Sequence, residues 1–314
     1  MLAPYLSPEA RDAALADLAA RAGADRIPFG QSVEGRPLLA VRIPSTGPGG
    51  QSPRVLCTAN IHGPEYISAA AALGLIARLG SRQGELAARL RQRAEIWVLP
   101  CLNPDGYART WRLEGRGRLR ALRPNARGVD LNRNFPMPCG ASASWIPGAG
   151  STRPGAATYR GPHALSEPET AALDALCAEQ RFHAAAALHS FMGTVIPARV
   201  TDRACFRAYR ELHRAFRAAQ PRVAYLRLAS RHLDVFTGEL EDHLHHARDC
   251  WAICVEHMSL LASVRQHLRA PCLFWRYNPR RPEPWVENDV PGILAFLLAA
   301  VDLPRPQALT AGLR

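Results

Sequence analysis

Four short apolar runs constrain this chain more than anything else in it. RVLCTAN (54–60), AEIWVLPCLNP (94–104), FHAAAALHS (182–190) and CWAICVEHM (250–258) are each about as long as a strand, and none alternates polar with apolar residues. A strand that is apolar on both sides must be covered on both faces. Helical patterns lie around them: 7–22, 64–80, 84–93, 166–180, 203–219 and a last one from Asn288 to Ala300. Buried strands alternating with helices predict an α/β fold, a single domain over residues 1–314 with a mixed, mostly parallel central sheet flanked by helices. Residues 30–44 read as two short strands around Glu34-Gly35, so the first 50 residues add a helix and strands to the same sheet. No internal repeat and no linker divides the chain.

Local signals set some boundaries. Ser7 reads as the N-cap of the first helix, with Leu6, Ala10, Ala14 and Leu18 as its inner side. Ser166 and Glu169 have capping-box spacing. Asn103-Pro104-Asp105-Gly106 is a turn signal. Residues 106–164 are rich in Gly, Pro, Ser and Arg, and a stretch that long is either functional or disordered.

Composition excludes several classes. Hydrophobic residues make up 47% and charged residues 21%, as in a soluble globular protein. No apolar run reaches the 18 or so residues that span a bilayer, so no membrane partner is expected. The net charge of +12 invites nucleic acid, but all 39 basic residues are arginine and most are scattered. The one cluster, Arg112, Arg116, Arg118, Arg120, Arg123 and Arg127, has no aromatic platform beyond Trp111, and no nucleic-acid partner is expected. The first 23 residues carry acids where an export signal needs an apolar stretch, and the expected location is cytoplasmic. The eight cysteines sit mostly in apolar runs and read as buried free thiols.

The strand ends carry the chemistry. His62 and Glu65 follow the first run, Asn103 the second, His189 ends the third and Glu256 the fourth. In open α/β sheets, sites gather at the carboxyl ends of strands. A histidine and a glutamate three positions apart offer ligand types that Zn²⁺ accepts, but one pair cannot close a site.

The chain resembles the zinc carboxypeptidases. The matching motifs are His62-Gly63-Pro64-Glu65, Asn103-Pro104-Asp105-Gly106, Arg123 with Gly128-Val129-Asp130-Leu131-Asn132-Arg133-Asn134-Phe135-Pro136, Tyr159-Arg160-Gly161-Pro162, Ser166-Glu167-Pro168-Glu169-Thr170, His189-Ser190 and Glu256. Their style is similar to the bacterial intracellular branch, which includes murein-peptide amidases. The resemblance implies one zinc per chain on His62, Glu65 and His189, and hydrolysis of a peptide or amide bond next to a free carboxylate. It implies water activated at the metal with Glu256 as general base, Arg123 supporting the oxyanion, and Asn132 with Arg133 holding the substrate carboxylate. A peptide or murein peptide is the implied substrate. Deacylation of small N-acyl amino acids, as in the aspartoacylase and succinylglutamate desuccinylase group, is the alternative. A non-catalytic binding domain on the same fold is a third reading.

Two departures and one candidate specificity residue stand out. The family's tyrosine in the loop before the catalytic glutamate is missing from 230–249, where His232, Phe236 and His243 are the candidate replacements. The Arg-rich stretch Trp111–Leu122 either lines the cleft or is a solvated loop. Glu241, about fifteen residues before Glu256, reads as a pocket acid that attracts a cationic side chain, or as a helix-start residue facing water.

Overall fold

The four apolar runs become neighbouring strands at the centre of one sheet. The computed structural model describes residues 2–48, 52–81, 84–138, 148–232 and 238–307. In chain order the elements are α1 (Pro8–Ala22), β1 (Asp25–Gln31), β2 (Pro37–Ile43), β3 (Arg54–Ala59), α2 (Tyr66–Ser81), α3 (Glu85–Arg93), β4 (Glu95–Leu99), α4 (Pro104–Arg112) and α5 (Leu119–Leu122). After a 3-10 turn at Leu131–Arg133 come α6 (Pro168–Gln180), β5 (Ala184–Ser190), β6 (Thr194–Pro197), α7 (Arg203–Ala219), β7 (Leu226–Arg227), α8 (Leu240–Arg248), β8 (Trp251–His257), α9 (Leu260–Arg269), α10 (Phe274–Tyr277) and α11 (Glu283–Val301).

The strand order is β1-β2-β4-β3-β5-β8-β6-β7. The inner pairs β4–β3, β3–β5 and β5–β8 are parallel, while β1–β2, β2–β4 and β8–β6 are antiparallel. Alternation along each strand feeds two cores. Val55 and Cys57 face a core built with α1, α2, α3, α7 and α11, and Leu56 faces another built with α6 and α8. That is why these runs needed apolar residues on both sides. Among the described residues one helix, α11, has the length and mean hydropathy of a membrane span, but more than half of it is buried. It packs against α2, α3 and α7.

Several expectations need correction. Helix α1 does start after the Ser7 cap, but its inner stripe is Arg11, Leu15, Ala19 and Ala22, one residue out of phase with the expected one. Asn103 marks a helix start rather than a simple turn: its side chain accepts from Gly106 N at the head of α4. The stretch after residue 106 therefore holds α4, α5 and the 3-10 turn. No capping box forms at Ser166. Its hydroxyl donates to the neighbouring Glu167 and accepts from Asn134, while Glu169 accepts from Asn125 and Val33 N, so other partners outcompete the local motif. The last helix begins at Glu283, earlier than expected.

Gly63 decides how β3 reaches the site. A Cβ there would lie 2.3 Å from Leu122 O and 2.7 Å from Gly106 C, so three backbone segments meet at a point only glycine fits. Gly63→Ala is expected to destabilise the fold by about 1–3 kcal/mol, the usual cost of overpacking, measured by denaturant unfolding.

Candidate metal centre and active site

The chain leaves β3 through Asn60, whose φ of 52° lies in the left-handed region that asparagine tolerates. Its side chain donates to His62 O (3.1 Å) and Glu65 O (3.2 Å), folding the HGPE turn around itself. This turn aims His62 and Glu65 inward just before α2 begins. His189 arrives on β5. In the parallel β5–β8 register His189 pairs directly with Glu256, which brings the two side chains to adjacent positions on one face. A slip of one residue would send Glu256 to the opposite face.

His62 Nδ1 lies 2.8 Å from Glu65 Oε1, and His189 Nδ1 lies 3.3 Å from both Glu65 Oε2 and His62 Nδ1. Two nitrogens held about 2.05 Å from one ion in tetrahedral geometry stand roughly 3.3 Å apart, so the three side chains fit a zinc ion. All three are buried. Burial lowers the His189 pKa and favours the neutral ring, the form that binds metal. Burial alone would raise Glu65, but the two imidazoles outweigh it and hold the carboxyl far below its ordinary range. Among the described residues, Glu256 Oε2 is buried without a hydrogen-bond partner, as an atom that awaits a ligand would be.

Asp130 organises the surroundings. It accepts from His62 Nε2 (3.1 Å), Arg123 Nε (2.8 Å) and Asn132 N (3.0 Å). The first bond leaves His62 Nδ1 as the ligand atom. The second aims Arg123 along the cleft, and the third shapes the turn that carries Asn132 and Arg133. Burial would raise the Asp130 pKa, but the Arg123 and His62 charges hold it far below the ordinary value.

A cleft of about 460 Å³ opens above these groups, lined by His62, Glu65, Arg123, Asn132, Arg133, His189, Glu241 and Glu256. All eight site residues expected from the sequence therefore meet in one place. Arg120 and Arg127, the two rivals of Arg123, are exposed and do not line the cleft. The arginines of 111–122 point to solvent, and Leu119 is the residue of that stretch that reaches the cleft.

Arg133 is held by Asn132 O (2.6 Å), Gly148 O (3.2 Å) and an ion pair with Glu239 (3.3 Å). Glu241 stands in the first turn of α8, so its helix-start reading is correct, yet it is buried in the cleft wall rather than facing water. Glu239 and Glu241 Oε2 have no hydrogen-bond partner among the described residues. Burial raises Glu256 well above its ordinary value, and the Glu65 and Glu241 charges add to the shift.

Neither described replacement for the missing tyrosine reaches the cleft. His232 is exposed. His243 stacks on Phe135 and bonds Asp174 at 2.6 Å. Phe236 lies outside the described residues. Tyr277 lines the cleft instead, arriving from α10 on the far side of Glu256 in sequence. Burial, with the Glu65 and Glu256 charges working against Arg123, pushes its phenol up to about 12, so the hydroxyl keeps its proton at neutral pH. Asp130, Glu239 and Tyr277 are the positions of the candidate site that sequence reasoning missed. Asp130 had a signal, since it stands inside the quoted GVDLNRNFP motif. Tyr277 had none, because no local pattern ties FWRY to Glu256.

A sequence profile for the zinc carboxypeptidase family matches residues 14–256. The chain belongs to the zinc carboxypeptidase family. It is 31% identical over 153 residues to mast cell carboxypeptidase A of Mus musculus, a match covering 47% of this chain and 35% of the relative. It is 32% identical over 151 residues to metallocarboxypeptidase A of Trichophyton tonsurans, covering 45% and 33%. The matches thus span about a third of the length of these curated relatives. The fold is similar to that of carboxypeptidase A from Helicoverpa armigera, with a TM-score of 0.74, 23% identity, and 96% of this chain and 75% of that one covered. It is also similar to a metallo-carboxypeptidase from Burkholderia cenocepacia, with a TM-score of 0.68, 20% identity and coverage of 95% and 70%.

Two outcomes are expected. Asp130→Asn should weaken zinc binding about 10–100-fold in a chelator competition titration, because the His62 tautomer loses its acceptor. Glu241 should leave a pH signature. Burial, and then the Asp242 charge, push its carboxyl up to about 8. An unfolded glutamate titrates near about 4.3, so between those values the folded chain holds the extra proton and loses stability as pH rises. Glu241→Gln removes that loss. Its Tm should match wild type near about pH 5 and exceed it by roughly several degrees at about pH 8.

Proposed function

We propose that this zinc carboxypeptidase family member is an active hydrolase that cuts a peptide or amide bond next to a free carboxylate. The observation that supports this is the convergence of a His-Glu-His triad, a buried glutamate and two arginines in one cleft. Zinc, when bound by His62, Glu65 and His189, supplies a Lewis acid that polarises the scissile carbonyl and lowers the pKa of water.

The chain's own residues do the rest. Glu256 takes the proton of the attacking water and delivers it to the leaving amine, a role suited to a carboxyl whose pKa burial has raised. Arg123, aimed by Asp130, carries charge developing on the carbonyl oxygen. Arg133 presents a guanidinium fork to the substrate carboxylate, with Asn132 beside it. Asn132 Oδ1 already accepts from Leu240 N, which leaves its amide Nδ2 as the donor. Tyr277 offers a protonated phenol over the same cleft in place of the missing loop tyrosine.

Glu241 and Glu239 favour a leaving residue that carries a cation. Buried carboxylates without full partners are costly, and a cationic side chain relieves them. A C-terminal lysine or arginine supplies that group, as does the free amine of diaminopimelate in a murein peptide. Buried free thiols fit a reducing compartment, and we keep a cytoplasmic location as part of this proposal.

Zinc-loaded protein should release C-terminal residues from a peptide and murein-fragment panel read by mass spectrometry. Hydrolysis of N-acyl amino acids but of no peptide would favour the deacylase, and stoichiometric zinc with no hydrolysis of either would favour a binding domain. Glu256→Gln is expected to keep zinc and fold and to lose at least roughly 10²-fold in kcat. Peptides ending in lysine should exceed matched leucine and glutamate peptides in kcat/KM, and Glu241→Gln should shrink that preference. An unchanged preference would remove Glu241 from specificity.

A further inference from the structure

After Glu256 the chain runs to Glu283 without a single acidic residue, and carries Arg265, Arg269, Arg276, Arg280 and Arg281 on the way. Helix α9 lies in this segment, and its amphipathicity is inverted. The residue it buries is Ser263, while Leu260 (54% exposed), Leu261 (61%), Val264 (49%) and Leu268 (82%) face solvent. At about 100° per residue these four fall within a single arc of roughly a quarter turn or slightly more. A helix that merely packs on its own protein turns that arc inward.

Arg265 and Arg269 follow directly around the helix from this arc. With Arg280 and Trp275 they line a surface cavity of about 300 Å³ between α9 and α10. Arg280 lies over the Trp275 ring at 4.7 Å. Among the described residues, none of these three arginines has a carboxylate partner.

We propose that α9 docks this chain on an anionic lipid surface, with its leucines in the acyl boundary and Arg265, Arg269 and Arg280 on headgroup phosphates. An exposed apolar arc beside a basic groove matches an interfacial helix, in which buried apolar area and attraction to anionic lipid add together. Charge decides against a second copy, since a two-fold contact would set the same arginines against one another. Nucleic acid would engage the arginines but has no use for four exposed aliphatic side chains. Docking of this kind needs no spanning segment. It would also set the cleft beside the lipid, because His267 on α9 packs against Phe191 at 4.0 Å and Phe191 lines the cleft.

The test is sedimentation of the full zinc-loaded chain with vesicles of phosphatidylcholine, with and without roughly one third phosphatidylglycerol. Binding is expected to the anionic vesicles and not to phosphatidylcholine alone, and salt should release it. Arg265→Gln and Arg269→Gln should each weaken it about fivefold. Leu268→Glu should abolish most of it, with Tm and peptide hydrolysis unchanged because the side chain is exposed. No sedimentation with anionic vesicles, or binding that ignores these variants, overturns the proposal. Light scattering that shows a dimer dissolved by Leu268→Glu assigns the face to a second copy instead. A duplex-DNA mobility shift lost with the arginines but kept in Leu268→Glu assigns it to nucleic acid.

Discussion

One buried carboxylate holds the site together. Asp130 orients the His62 ring, aims Arg123 and fixes the backbone of the turn that carries Asn132 and Arg133. The candidate metal ligand and the residues proposed for oxyanion support and carboxylate grip therefore share one anchor. An ionised carboxylate in a dry place is expensive, and three donors offset that cost. Because the donors also belong to the groups proposed to do the chemistry, the stabilising network and the geometry of the candidate site are the same set of bonds.

The sheet supplies the second constraint. β5 and β8 run parallel and in register, so His189 and Glu256 are brought side by side by backbone hydrogen bonds rather than by their own contacts. Cys254 shares that face two residues earlier and lines the same cleft. Against this rigid floor the cleft concentrates Glu65, Glu239, Glu241 and Glu256, with Arg123 and Arg133 as its cations. Ionising all of these carboxyls in a dry cleft is costly, and burial with mutual repulsion raises the pKa of Glu239, Glu241 and Glu256. That cost makes a zinc ion and, in the proposed function, a cationic substrate group the natural counterparts of the charged forms.

Much of this was legible in residues 54–65, 182–190 and 250–258, because buried strands have a distinctive apolar signature and polar residues at their ends are rare enough to notice. Local grammar failed in two places. Ser166 and Glu169 have the spacing of a capping box, but the distant Asn134 engages the first and Asn125 and Val33 the second. The inner stripe of α1 is one residue out of phase because Leu6 lies before the Ser7 cap and follows no helical period.

The sequence by itself determined which eight side chains are candidates for the chemistry, their order along the chain and the placing of His62, Glu65, His189 and Glu256 at the carboxyl ends of parallel strands. Those properties depend on residue type, spacing and hydrophobic run length, all local quantities. The tertiary structure alone decided that Glu239 pairs with Arg133, that Glu241 is buried rather than solvated, and that Tyr277 enters the cleft from beyond Glu256. It also decided that α9 turns its leucines outward. Each of these depends on how far-separated segments close over one another. A hydrophobic period reveals that a face exists, and only packing fixes what that face meets.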